Sequence, residues 1–166
     1  MNAVLIAIGV ALSAAVCVAA DEEKHVSKEG RFAISFPKDS KIKTDAKKTA
    51  SGLDMNSAIV ENKGVLHAVI YADVPEEGLK NLKVFFDSVE RGIVRSSGAK
   101  VTETKEIEFG SDKLPGRKVS FEKDATHGRL QLILKKDRFY AVILRGSKEF
   151  IDSKAASAFF ESFELK

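Results

Sequence analysis

The chain has 166 residues, of which 44% are hydrophobic and 31% are charged. These proportions exclude an intrinsically disordered chain, and the length fits one domain with a sizeable core. The net charge of +3 is spread along the sequence. Because nucleic-acid modules concentrate basic residues on one face, we expect no nucleic-acid partner.

The first twenty residues, MNAVLIAIGVALSAAVCVAA, carry no charged side chain, whereas DEEKHVSKE follows directly. An apolar stretch that ends in Val18-Ala19-Ala20 is typical of a signal peptide, so residues 1–20 are predicted to be cleaved before Asp21. The exported product would be periplasmic or secreted, without stable membrane insertion. The alternative is an uncleaved N-terminal anchor, since about 20 apolar residues can span a bilayer.

Cys17 is the only cysteine. Val16 precedes it where a lipidation motif requires a small residue, which argues against a lipoprotein. Cleavage after Ala20 would leave a mature protein without thiol chemistry or disulfides. We divide that protein into a polar N-terminal segment, 21–28, and a single domain, 29–166.

The first half of this domain shows strands and one long helix. RFAISFP alternates Phe32, Ile34 and Phe36 with small or polar residues and predicts a strand. The Lys-rich stretch 38–52 is predicted to be a solvated loop, and 54–74 to be a hairpin that turns at 61–64. His67 lies in its second arm and is predicted to be packed or hydrogen-bonded.

Five apolar residues recur at spacings of three and four and predict an amphipathic helix with a core-facing stripe: Leu79, Leu82, Phe86, Val89 and Ile93. Pro75 and two glutamates favour its start, and Gly98 favours its end. The charged segment VTETKEIEF is then typical of an edge strand that resists pairing with another chain.

LPGRKVSFEKDATHGR, residues 114–129, raises the question of a catalytic or phosphate-binding loop. A four-residue turn at 124–127 would pair Phe121 with Leu130 and Glu122 with Arg129 across two strands. The next strand, RFYAVILRG, would place Phe139 beside Leu134. We therefore interpret the stretch as a hairpin whose glycines serve strand entry and turn geometry.

The C-terminal segment predicts a short helix that Ser153 caps and that ends near Ser162. Ala155 and Phe159 would face the sheet, and Phe163 would complete the core. The predicted fold class is α+β, an antiparallel β-sheet flanked by helices.

The order GRFAISFP, hairpin, long helix, LPGR strand, RFYAVIL strand and AFFESFEL resembles the PsbP-like family over residues 29–165. That family shares an α/β/α sandwich with the photosystem II protein PsbP and the Ran-binding Mog protein. The resemblance implies a binding or assembly-supporting domain more than an enzyme. No functional residue of the family can be matched here.

The sequence offers little chemistry. G-x-S-x-G, Walker, H-E-x-x-H and EF-hand patterns are absent, and His25, His67 and His127 lack metal-ligand spacing. His127 with Asp124 is a weak metal candidate. We therefore expect no catalytic residue, cofactor or structural metal.

Two functions remain open. The first is an exported, non-enzymatic domain that binds an envelope protein or a small polar ligand. The alternative is a small-ligand carrier or weak hydrolase with a site between sheet and helix. Arg129, Gln131 and Tyr140, on the more polar sheet face, are the predicted contact residues, and the Lys-rich stretch 38–48 is the second choice.

Overall fold

The computed structural model describes residues 22–49 and 52–166. The predicted signal peptide, with Cys17, lies outside these residues. None of the helices in the described part of the chain is long and apolar enough to cross a bilayer.

A seven-stranded antiparallel sheet forms the centre, in the order β3-β4-β5-β9-β8-β7-β6. Its strands in chain order are β3 (Lys43–Lys48), β4 (Asp54–Asn62), β5 (Val65–Asp73), β6 (Lys100–Phe109), β7 (Leu114–Lys123), β8 (Thr126–Lys135) and β9 (Arg138–Gly146). A second, three-stranded sheet has the order β1-β2-β10, with β1 (Glu22–Ser27), β2 (Phe32–Pro37) and β10 (Glu164–Leu165). The helices are α1 (Glu76–Leu79), α2 (Leu82–Ser96), α3 (Lys148–Ile151) and α4 (Lys154–Glu161). The predicted α+β class is confirmed.

Each face of the large sheet carries its own core. On one face, α2 packs Phe86 and Val94 against Val119, Leu132 and Phe139. The other face is covered by the small sheet together with α3 and α4. There the buried residues include Phe32, Ile34 and Phe36 of β2, Val142 and Leu144 of β9, and Phe159 of α4. The alternation of RFAISFP therefore predicts β2 and its buried face correctly.

The helix prediction is right in its centre and wrong at its start. Asn81 caps α2, because its Oδ1 accepts a hydrogen bond from the Val84 backbone N–H at 3.1 Å. Leu79 belongs to the separate helix α1, and Leu82 is exposed instead of joining the stripe. Gly98 follows the end of α2 with φ of +68°, a left-handed conformation that glycine adopts without strain.

Two segments for which the sequence analysis predicts no strand are strands. Residues 43–48, assigned to a loop, pair with β4 at the edge of the large sheet. Residues 22–27, placed outside the domain, pair with β2. Every side chain of β3 is exposed, as are most of β1, so neither strand has the apolar alternation that reveals a strand in a sequence. Main-chain hydrogen bonds define them instead.

The β7–β8 hairpin has a tighter turn than predicted. Lys123 pairs with Thr126 around a two-residue turn, and Asp124 adopts a positive φ of 52°. Phe121 therefore lies opposite Gly128, and Glu122 lies opposite His127 instead of Arg129. The error is two residues, an even number, so every side chain stays on the predicted face. The β8–β9 register, with Leu134 opposite Phe139, is confirmed.

The two glycines of this stretch lie inside strands, not in turns. A Cβ on Gly116 would come within 2.6 Å of the Leu132 carbonyl oxygen, and one on Gly128 within 2.2 Å of the Phe121 ring. Both positions need glycine because another group occupies the space of a side chain. The prediction of turn geometry is wrong, whereas Gly116, the third residue of β7, does lie at a strand entry as predicted.

His67 of β5 is buried on the face covered by the small sheet, with 5% of its surface exposed. Its ring makes edge contacts with Phe159 and Phe150, at centroid distances of 4.9 and 6.1 Å. Burial lowers the pKa of His67 to about 4, although the nearby Val65 backbone partly opposes the shift. The imidazole is therefore neutral at pH 7.

We expect Phe86→Ala to lower the free energy of unfolding by about 3–5 kcal/mol, because it empties a buried aromatic site. Urea unfolding measures the loss. Val84→Ala is the matched control on the same helix, since Val84 is exposed, and should change stability by less than about 0.5 kcal/mol. A similar loss in both variants would contradict the packing of α2.

We also expect acid to destabilise the protein through His67. Its folded-state pKa lies below the ordinary 6.5, so the unfolded chain binds a proton first as the pH falls from 6.5 towards 4. Between pH 7 and pH 4.5 the wild type should lose about 2 kcal/mol more stability than His67→Phe. Unfolding at both pH values tests this, and parallel pH curves for the two proteins would contradict it.

Candidate functional site

An open groove of about 590 Å³ lies on the face of the large sheet that carries the small sheet and α4. Its floor is formed by β6, β7 and β8, and α4 contributes one wall through Ser157, Phe160 and Glu161. The apolar residues of α4, Ala156 and Phe159, pack in the core with β9. The floor therefore consists of the strands beyond the part of the sheet that α4 covers.

Strand register determines the groove's floor. In the first row Glu103, Ser120 and Arg129 lie opposite one another on β6, β7 and β8. In the second row the aligned residues are Lys105, Lys118 and Gln131. Directly opposed residues of antiparallel strands project to the same side, so these two rows form the polar centre of the groove. Ile107 and Phe109 extend it with apolar surface.

The second row is electrostatically unbalanced. Lys105 and Lys118 are directly opposed like charges, an arrangement that destabilises a strand pair. Within residues 22–49 and 52–166, neither ammonium group forms an ion pair. The acidic residues at the groove, Glu103, Glu108 and Glu161, balance the total charge. Glu108 is bound by Lys113, at 3.7 Å. Positive charge is therefore concentrated in the second row and not over the whole groove.

Gln131 is almost covered, with 4% of its surface exposed, yet it lines the groove. Its amide makes no side-chain hydrogen bond within the described part of the chain. A nearly buried amide has donors and acceptors to satisfy, and here only the groove gives access to them. Gln131 therefore lies where a ligand in the groove could reach its amide, and its role in recognition stays a prediction.

Arg129 also lines the groove and is about one-third exposed. The expected pairing with Glu122 does not form, because Arg129 lies opposite Ser120 in the actual register. Instead its Nη2 lies 3.6 Å from Oδ1 of Asp152, at the end of α3. Asp152 also binds Lys148 at 2.6 Å, which leaves Arg129 with a long, shared ion pair.

Tyr140 does not belong to the groove. It is 1% exposed and packs among Phe32 and Phe163 beneath the small sheet. Its hydroxyl donates a hydrogen bond to the Gly30 carbonyl at 3.0 Å. The prediction of Tyr140 as a contact residue is wrong because the sequence did not reveal that the second sheet covers this part of the face.

Arg117, the arginine of LPGR, is a buried structural residue, 3% exposed. Its Nη1 donates to Asp87 at 2.7 Å and to Glu90 at 3.1 Å, both on α2, and its Nε donates to Glu106 of β6 at 3.0 Å. Burial by itself would lower the pKa of Arg117, and the hydrogen bonds to Asp87 and Glu106 outweigh it and raise the pKa. Because these three carboxylates already bind the guanidinium of Arg117, LPGR is not a phosphate-binding loop.

The metal candidate has weak geometry. His127 Nδ1 lies 3.9 Å from a carboxylate oxygen of Glu122, and Asp124 belongs to the turn. Across residues 22–49 and 52–166, no three His, Cys, Asp or Glu side chains come together as a metal-binding group.

The fold is similar to that of a solved protein, cyanobacterial PsbP (CyanoP) from Synechocystis sp. PCC 6803, whose structure was determined in solution. The TM-score is 0.63, and the alignment covers 89% of this chain and 94% of the other. Sequence identity is 11%, so the likeness shows the fold and not the function. The PsbP-like fold is thereby confirmed, and the similarity to the Mog protein stays a prediction. No family model and no curated protein sequence matches the chain.

Sequence reasoning missed Lys105 and Lys118. The available signal was the like-charge pairing itself, which becomes visible once β6 and β7 are aligned by Ile107 opposite Gly116. The sequence analysis treated the charges of β6 only as protection of a sheet edge.

We expect Lys118→Gln to raise the free energy of unfolding by about 0.5 kcal/mol at low salt, because it removes the repulsion from Lys105. The gain should vanish in 1 M NaCl, where screening shortens the range of the interaction. Lys100→Gln is the control in the same strand pair, since Lys100 lies opposite Glu122, and should lower stability slightly. A loss on Lys118→Gln at low salt would contradict the repulsion.

Proposed function

We propose that the chain is an exported, non-enzymatic domain that supports an assembly by binding an envelope protein in the groove of β6, β7 and β8. The observation that carries the proposal is the unpaired row Lys105, Lys118 and Gln131 on an uncovered sheet face. Two ammonium groups and a free amide can together bind one carboxylate.

The partner is best described as an extended polar segment with an acidic side chain. A carboxylate between Lys105 and Lys118 would remove their mutual repulsion, and Arg129 in the neighbouring row could bind a second acceptor. The apolar lining residues Ile107, Phe109 and Phe160 offer contact for the flanking residues of the segment. Glu103 and Glu161 would repel a segment that is acidic throughout, which favours a single central acid.

Binding fits the groove better than catalysis. Its lining side chains include neither histidine nor cysteine. Glu103 lies opposite Ser120, but within the described residues the hydroxyl groups of Ser120 and Ser157 form no hydrogen bond with a carboxylate or amine that could activate them. The groove is open, with Lys105 and Lys118 exposed, so it does not exclude water from a reaction. The PsbP-like resemblance, which implies assembly support, agrees with this choice.

A charge-reversal experiment tests the proposal. The full chain is expressed in its native envelope, and the mature protein is cross-linked to neighbours and recovered. Lys105→Glu/Lys118→Glu should abolish recovery of the specific partner, because the row then repels a carboxylate. Lys47→Glu/Lys48→Glu is the matched control, with the same change in net charge on β3, where the second-choice surface lies.

Recovery lost only in the β3 variant would move the contact to residues 38–48, and recovery retained in both variants would overturn a charge-based site.

Intact mass of the recovered protein tests export separately. Cleavage after Ala20 predicts loss of residues 1–20, whereas their retention would support the anchored alternative.

A further inference from the structure

A second cavity, of about 360 Å³ and open to solvent like the groove, lies between the two sheets and the C-terminal helices. It is lined by β1 and β2, by the β4–β5 turn and by α3 and α4. It shares no lining residue with the groove of β6, β7 and β8. Its volume is in the range of small-molecule sites, which are usually about 300–1,000 Å³.

The walls combine apolar surface with a few polar groups. Val65, Phe150, Ala155 and Phe159 supply the apolar surface. Asn62 and Ser147 supply polar side chains, and Glu22 and Lys63 carry one charge of each sign. The charges balance, so the cavity does not select for an ion of either sign.

His67 lines this cavity and is its most unusual group. Only 5% of its surface is exposed, and its Nδ1 has no hydrogen-bond partner within the described residues. A buried polar atom without a partner costs about 1–3 kcal/mol, so native proteins seldom retain one without a reason. Phe150 and Phe159 hold the ring by edge contacts, which fixes its orientation at the cavity wall.

We propose that this cavity binds a small neutral molecule that has an apolar body and a hydroxyl group, and that the hydroxyl group forms a hydrogen bond with His67 Nδ1. A neutral imidazole presents Nδ1 as a donor in one tautomer and as an acceptor in the other. A hydroxyl group both donates and accepts, so it satisfies Nδ1 in either tautomer. The apolar body packs on Phe150 and Phe159.

The burial of the lining residues determines the orientation of the ligand. His67 is the buried polar group, whereas Glu22 and Lys63 are exposed at the rim. The hydroxyl group therefore enters first, and any further polar part of the ligand lies near Asn62 and Ser147. This site is independent of the proposed function, because it needs neither the lysine row nor a protein partner.

Phenol and toluene are a matched pair of probes, since they have nearly equal size and differ in the hydroxyl group. We titrate each into ¹⁵N-labelled protein at pH 7 and follow the His67 ring nitrogens and the backbone amides. Phenol should shift the His67 Nδ1 resonance saturably and bind roughly 3- to 10-fold more tightly than toluene, the factor expected for one hydrogen bond.

Two variants test whether the preference for phenol depends on His67 and whether binding occurs in the cavity. His67→Phe should remove the preference for phenol, and Ala155→Leu should weaken both probes by filling the cavity while leaving His67 in place. Circular dichroism confirms that each variant is folded. Equal affinity of both probes for the wild type, or shifts confined to residues outside the cavity, would overturn the proposal, and neither result bears on the groove.

Discussion

Burial of the central strands on both faces is the constraint on which the rest of the structure depends. Strands β8 and β9 are buried along almost their whole length, so each face of the sheet needs a covering layer. Helix α2 supplies one layer, and the small sheet with α3 and α4 supplies the other. Arg117 fixes the first layer, because its guanidinium joins Asp87 and Glu90 of α2 to Glu106 of β6. Ser153 stabilises the second, since its hydroxyl caps α4.

The two layers do not cover the same strands, and both proposed sites arise from this offset. Seven strands about 4.8 Å apart span roughly 29 Å between the outer axes, whereas one helix is about 10 Å wide. The layer formed by α2 extends to β7, where it buries Val119 and Phe121. On the reverse of the same strand, Lys118 and Ser120 lie in the groove. The second cavity, which His67 lines, lies at the other end of the second layer, between the small sheet and the helices α3 and α4.

The predictive power of the sequence followed the strength of its periodic pattern. Phe32, Ile34 and Phe36 identified β2, and the β8–β9 register was correct because apolar residues match along both strands. The strands β1 and β3 were missed because exposed edge strands need no apolar alternation. Arg129 and Gln131 were placed on the correct face, since a two-residue register error preserves the face. Lys105 and Lys118 can be recognised as an opposed pair only when β6 and β7 are aligned.

The sequence by itself determined the class of fold, the α2 stripe around Phe86, the Ser153 cap and the two-faced pattern of the central strands. These are local properties, set by spacings of two or three to four residues and by the hydrogen bonds of one side chain. The tertiary structure alone decided which part of each face is covered. Tyr140 and Gln131 are polar residues on one sheet face, yet the small sheet buries the first and the groove admits access to the second. That difference depends on contacts between residues more than 100 positions apart, such as Tyr140 with Gly30, which no local pattern encodes.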